Sequence, residues 1–286
     1  MKKRYLSLFC VAFLASCGSD APAFVSGGEK FDAEKLQAVD QEVVEEKTSE
    51  IHGVTISAST NTTMNMTVDG QSQSSSESST VVETFNFDTK TLEVTMTSGG
   101  HSLKYQIKIE NDSVKFISDD IPASAAGMDL TLEGFGTLLE TSYKSLFSWS
   151  FIPSSEDIQA LTQALEGMMA SMQMTVTLIG FEDMMNGIAK DFVMAGDYQN
   201  GNFEVGFDKA HEYTCSMRYS MEGTVLGNSV LSIAYSKMRC VFKDFLCRES
   251  FACITEKMNM VISAGGYSTT MNMTITADTH STYSYF

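Results

Sequence analysis

The chain has 286 residues, of which 43% are hydrophobic, 19% are charged and 3 are prolines. That length and apolar content suit a packed core, so wholesale disorder and collagen-like repeats are excluded. The formal charge of −17 argues against nucleic acid as a partner, because phosphate binding needs clustered Lys and Arg. The longest apolar run, Leu6–Ala15, is too short to span a bilayer as a helix.

Lys2, Lys3 and Arg4 precede that run, which leads into Leu14-Ala15-Ser16-Cys17. A basic start, a short apolar segment and small residues before a cut make a secretory signal over 1–16. The tetrapeptide resembles the lipobox of bacterial lipoproteins. That resemblance implies cleavage after residue 16, diacylation (palmitate-type acyl chains) of Cys17, and a body tethered to the membrane of a bacterial cell envelope. Gly18 stands where enterobacterial lipoproteins carry the aspartate of inner-membrane retention, so the resemblance implies the outer membrane, on its periplasmic or its surface side. The alternative is an ordinary secretory signal that contains a cysteine. Cleavage removes basic residues and no acids, so attachment rests on acyl chains rather than on anionic headgroups. Residues 17–30, with Pro22, Gly27 and Gly28, read as lipidated cysteine and tether.

Residues 31–286 are expected to form a single α+β domain. An amphipathic helix is predicted over 31–48, with Leu36, Val39 and Val43 on one stripe. The period then changes to two, and 51–118 reads as a β-meander. A turn at Gly99-Gly100 opposes Met96 with Leu103, Val94 with Tyr105, and Leu92 with Ile107. A turn at Asn111-Asp112 opposes Ile109 with Val114 and Ile107 with Phe116. A third, near Thr89-Lys90, opposes Phe87 with Leu92 and Phe85 with Val94. All three registers keep one face apolar. Gly70–Ser79 (GQSQSSSESS) reads as a polar flexible loop.

Residues 128–195 read as a three-helix insert. Its stripes are Phe135, Leu138, Leu139, Leu146 and Phe147; Ile158, Leu161, Leu165, Met168, Met169 and Met172, with Ser154 and Asp157 in a capping pattern; and Phe181, Met184, Met185, Ile188 and Phe192. A short strand is predicted at Thr175–Ile179. Strands return over 203–286. A turn at Gly227-Asn228 opposes Cys215 with Cys240 at a non-hydrogen-bonded site. An exported chain with Cys215, Cys240, Cys247 and Cys253 left in its body favours two disulfides. The register therefore predicts Cys215–Cys240 and, by elimination, Cys247–Cys253. A bulge in these strands would break that count.

A last hairpin turns at Gly265-Gly266 and opposes Ile262 with Thr269, Met260 with Met271, and Met258 with Met273. The segment Thr62–Thr67 (TTMNMT) recurs unchanged as Thr269–Thr274, so similar hairpins open and close the β portion. Duplication and convergence on Thr/Met strand patterning both account for it. The final Tyr283-Ser284-Tyr285-Phe286 reads as an edge strand rather than as the last strand of a membrane barrel, since lipid-facing bands are missing.

Catalytic patterns are absent: there is no G-x-S-x-G, H-E-x-x-H, P-loop or G-x-G-x-x-G. His52, His101, His211 and His280 are scattered, and no cofactor or zinc site is expected. The 19 methionines are the unusual feature. Met-x-Met on a strand aims both thioethers to one side, so Met258, Met260, Met271 and Met273 form a four-sulfur patch, with Met64 and Met66 as a similar edge. Core filling is the simplest account of them. A pliable apolar pocket comes next. Cu(I) ligation comes last, because neither His nor Trp interleaves with the pairs.

An open sheet with one apolar face must cover it, and the helices are the available cover. This order of elements resembles the lipoprotein-localisation carriers and the mycobacterial lipid-carrying lipoproteins, curved antiparallel half-barrels with helices on the concave side. The resemblance implies a non-enzymatic protein that binds or carries an apolar, lipid-like ligand between sheet and helices. The lining residues expected from this chain are Met66, Phe85, Val94, Tyr105, Leu139, Met169, Met185, Met260 and Met271. The competing expectation is a structural or interaction lipoprotein with a filled core, its acidic surface meeting a basic envelope partner.

Overall fold

Long runs of alternating side chains, interrupted by two-residue turns, dictate the architecture. The computed structural model describes residues 24–32, 46–111, 113–117, 131–133, 139–140, 143, 175–222 and 224–286. Its strands are β1 (Glu29–Lys30), β2 (Gly53–Val68), β3 (Gln71–Asn86), β4 (Thr91–Ser98), β5 (His101–Glu110), β6 (Ser113–Ile117), β7 (Thr131–Glu133) and β8 (Thr175–Ile179). After helix α1 (Phe181–Asp191) come β9 (Val193–Asp197), β10 (Asn202–Gly206), β11 (His211–Met221), β12 (Thr224–Lys243), β13 (Leu246–Ala264) and β14 (Tyr267–Tyr285).

The strands make one unclosed, curved antiparallel sheet in the order β1-β9-β10-β12-β13-β14-β2-β3-β4-β5-β6-β7. β10 and β11 share one edge of β12, β10 along Arg239–Phe242 and β11 along Thr224–Tyr235, and β8 extends the sheet beyond β11. Strand parity puts Val54, Ile56, Val81, Phe85, Leu92, Val94, Ile107, Val205, Met238 and Tyr283 on one inner face, and all are buried in a common core. Helix α1 buries Phe181, Met184, Met185 and Ile188, and its Gly187 lies against the Tyr213 ring of β11.

The expected hairpins at Gly99-Gly100, Asn111-Asp112 and Gly265-Gly266 have the registers read from sequence, and the strand at Thr175–Ile179 is present. Other expectations are corrected. The β3–β4 register is Phe85 with Leu92 and Glu83 with Val94, because the connection is a four-residue turn, Phe87–Lys90. A two-residue slip preserves the face and exchanges the partners. Gly70–Ser79 is mostly strand, not loop: β3 starts at Gln71 and pairs with β2 along its whole length. Serine and glutamine are poor in burial, yet here their backbone completes a ladder while their side chains stay in water.

The largest correction concerns β11 and β12. The ladder between them ends at Met221 and Thr224, and Gly227 and Asn228 lie inside β12 opposite Tyr219 and Arg218. Gly227 is there because the chain is crowded: a Cβ would overlap the Val261 carbonyl oxygen. Cys215 therefore faces Leu231, and Cys240 faces Val205 and Ser250.

The C-terminal tyrosines are not on an edge either. β14 lies between β13 and β2, with Tyr283 opposite Ile56 and Tyr285 opposite Val54. Nor is the segment before residue 31 wholly tether: Val25 is buried with its N–H on the Phe207 carbonyl, and Glu29–Lys30 pairs with β9. Most of the predicted helix 31–48 lies outside the described residues, within which Glu46–Thr48 are helical. Of the insert, residues 131–133 and 193–195 are strand; the stripe from Ile158 to Met172 lies outside the described residues.

Candidate functional site

Parity along β2 to β5 makes the site. Ile56 faces Glu83, Glu83 faces Val94, and Val94 faces Tyr105, so one row of the inner face crosses four strands as Ile-Glu-Val-Tyr. The next row toward the end of the sheet is Val54, Phe85, Leu92 and Ile107, all buried. A carboxyl thus sits in an apolar surface.

Tyr143 answers it. Its hydroxyl donates a hydrogen bond of 2.8 Å to Glu83 Oε2, and its ring stacks parallel on Phe85 at 4.7 Å between centroids. Phe87 meets Phe85 edge-on at 5.2 Å. Leu139 packs on the same core, and the neighbouring Glu140 accepts from Lys90 Nζ at 2.9 Å. Burial raises the Glu83 carboxyl above the ordinary carboxylate range, and the Tyr143 hydrogen bond acts in the opposite sense. Burial, then the Glu83 charge, raises the Tyr105 phenol.

The structure unites Phe85, Val94, Tyr105 and Leu139 around this row. Met185 is buried in α1, in the same continuous core but beside β11. Met169 lies outside the described residues, as does Cys17. Met66, Met260 and Met271 share the inner face but sit out along the hairpin arms, away from Phe85. There the two copies of TTMNMT run antiparallel on β2 and β14. The Asp69 N–H donates to the Thr270 carbonyl and the Thr270 N–H to Asp69 Oδ1, each at 3.0 Å. Carried along both strands, that register sets Met66 beside Met273, which faces Met258. The methionines of this hairpin are half-buried, whereas Asn259 and Asn272 on the other side are exposed.

Sequence reasoning missed Glu83 and Tyr143. The signal for Glu83 was in the alternation, since Val81, Glu83 and Phe85 share a face. Nothing local marks Tyr143, whose partner is sixty residues away.

The histidines do not assemble. His52 pairs with Asp88 at 2.8 Å, and His280 stacks on Phe251 at 4.5 Å. His211 lies between Asp191 at 3.2 Å and Asp208 at 3.3 Å. The Tyr213 hydroxyl donates to the same Asp191 carboxylate at 2.7 Å. Among the described residues no group of three or more His, Cys, Asp and Glu could hold a metal ion.

The disulfide expectations fail on geometry. From Leu231, the partner of Cys215, to Cys240 is nine residues of β12, about 30 Å of strand. Cys247 and Cys253 are six residues apart on β13, about 20 Å, and face opposite sides of the sheet. A disulfide needs Cα atoms within about 7 Å. The four cysteines stand as thiols. Cys247 is the most deeply placed, its thiol pushed well up by burial and then by hydrogen bonding to the Cys240 side chain.

No family model matches the chain, and no curated protein matches it. Among solved structures, the ywiB protein of Bacillus subtilis aligns with 80% of this chain and 93% of its own at 9% identity and a TM-score of 0.17. A mutant of the Rh. blastica porin aligns with 79% of this chain and 99% of its own at 8% identity and a TM-score of 0.20. Likenesses this distant carry no argument about fold or function.

Proposed function

We propose that the protein is a non-enzymatic, lipid-anchored protein of the bacterial cell envelope that holds an apolar, lipid-like ligand on the inner face of its sheet. The observation that carries this reading is the row Ile56, Glu83, Val94, Tyr105. A filled structural core gains nothing from a carboxyl in its apolar face, since the cost of burying Glu83 outweighs what its one hydrogen bond to Tyr143 returns. A site for an amphiphile does gain, because it needs mostly apolar walls and a few placed polar groups. In this reading Phe85, Val94 and Leu139 contact the acyl portion, and Glu83, with Tyr143 and Tyr105, meets a headgroup that carries a hydrogen-bond donor. Leu139 and Tyr143 pack over this face and supply part of its cover. The lipobox at Leu14–Cys17 supplies the anchor. The half-buried Met66, Met258, Met260, Met271 and Met273 extend the apolar strip along the arm, where pliable thioethers suit a flexible chain.

The test is displacement of a fluorescent long-chain monoacylglycerol, whose hydroxyls supply the donor, from the delipidated protein. Saturable, stoichiometric binding that weakens about tenfold in Tyr105→Asp supports the reading, since the change removes the phenol at the headgroup and adds a second acid to the row. Absence of saturable binding in the folded protein contradicts it and favours the structural or interaction class.

A further inference from the structure

The β12–β13 hairpin turns on two residues, Asp244 and Phe245, between Lys243 and Leu246. Phe242 then faces Cys247, the ladder shifts between Val241 and Phe242, and Cys240 faces Ser250. On β12, Cys240 and Phe242 are two residues apart and share the inner face, so Cys247, opposite Phe242, shares it too. The bulge leaves the two cysteines as diagonal neighbours on that face, close enough for the thiols to influence each other.

Their surroundings fix this arrangement. The Tyr285 hydroxyl donates to the Cys247 carbonyl at 2.7 Å, and the Tyr283 and Ser250 hydroxyls lie 2.9 Å apart. Cys215 and Cys253 are too far away to compete with either thiol, as the strand registers show.

We propose that Cys240 and Cys247 are the protein's oxidisable pair and close an internal disulfide that clips the base of the β12–β13 hairpin, leaving Cys215 and Cys253 as thiols. The oxidant is a disulfide of the exporting compartment. The Cys240 thiolate, on the less buried cysteine, attacks one of its sulfurs and expels a thiolate. Cys247 then gives up its proton and attacks the Cys240 sulfur of the mixed disulfide, expelling the second thiolate. Two S–H bonds are lost, one S–S bond forms, and the oxidant leaves as two thiols. The export reading says where this happens; the pairing itself rests on the register and does not depend on any ligand.

The experiment refolds the full chain from denaturant in mixed oxidised and reduced glutathione, alkylates remaining thiols and maps the peptides. The expected result is a mass lower by two hydrogen atoms, with Cys240 linked to Cys247 and with Cys215 and Cys253 alkylated. The variant Cys215→Ser/Cys253→Ser should form the same link, and Cys240→Ser should form none. A link involving Cys215 or Cys253, alkylation of both Cys240 and Cys247, or a glutathione adduct at Cys240 with no internal bond overturns the proposal. Because Cys247→Ser could disturb the buried bulge, Cys240→Ser serves as the decisive single variant. Labelling of Cys17 with radioactive palmitate tests export separately, so the two readings can fail independently.

Discussion

The Tyr143 hydroxyl donates a 2.8 Å hydrogen bond to the Glu83 carboxylate, in the middle of an apolar sheet face. Its consequences for stability can be worked out in sign. Burial raises the Glu83 carboxyl above its ordinary 4.5. The folded state therefore holds this proton more tightly than the unfolded chain. Glu83's contribution is fully favourable below 4.5 and is lost as pH rises through the raised value. Glu83→Gln keeps an acceptor for Tyr143 and removes the titration. Its stability relative to wild type should improve as pH rises above the ordinary carboxylate range and through the raised value, and then level off. Urea midpoints of both proteins across that range check this, and a constant difference would show that Glu83 does not titrate differently on folding.

Gly227 separates two readings of the C-terminal sheet. In the middle of β12 its missing Cβ makes room for the Val261 carbonyl, so Gly227→Ala should cost about 3 kcal/mol, at the overpacking end of single substitutions. At an exposed turn the same change would cost about 1 kcal/mol. Denaturant unfolding of the variant distinguishes them.

These two residues also show what the sequence makes legible. Where a turn is Gly-Gly or Asn-Asp between clean alternations, as at Gly99-Gly100 or Gly265-Gly266, local chemistry fixes the register and the pairs follow. Around Gly227-Asn228 the same dipeptide logic misleads, because that glycine answers a close approach from β13, which is tertiary. The connections at the two ends of β12 place the non-glycine residues Glu222, Asp244 and Phe245 at positive φ, a conformation that sequence reasoning assigns first to Gly and Asn. The disulfide expectation inherited that error. Phe85, Val94 and Tyr105 were legible as one face because alternation survives a two-residue slip. Tyr143 was not, since only the folded chain brings it to Glu83.

Phe245 holds a left-handed conformation, φ 66°, that its burial sustains: it is 3% exposed and its N–H donates to the Gly201 carbonyl at 3.1 Å. Phe245→Ala keeps the unfavourable φ and forfeits the packing, so a loss of about 3 kcal/mol is expected. Asp244→Asn, at φ 49°, should be neutral or gain a few tenths of a kcal/mol, since Asn tolerates that region well. Thermal unfolding of both variants checks the contrast.

The arm methionines should be replaceable for stability and not for binding. Met260→Leu/Met271→Leu conserves volume at half-buried positions and should change stability by less than about 1.5 kcal/mol. If the arm forms part of the ligand surface, acyl-chain affinity should fall in the double variant, as titration of the monoacylglycerol probe would reveal. Loss of Cu(I) affinity with unchanged monoacylglycerol binding would instead assign the thioethers to metal.

Native mass spectrometry of the protein isolated from the envelope tests the central claim most directly. The account predicts a stoichiometric, lipid-mass adduct on the folded body, beyond any acyl groups at Cys17, that organic extraction releases and that the delipidated protein takes up again. A folded body of bare polypeptide mass that takes up no lipid would contradict it.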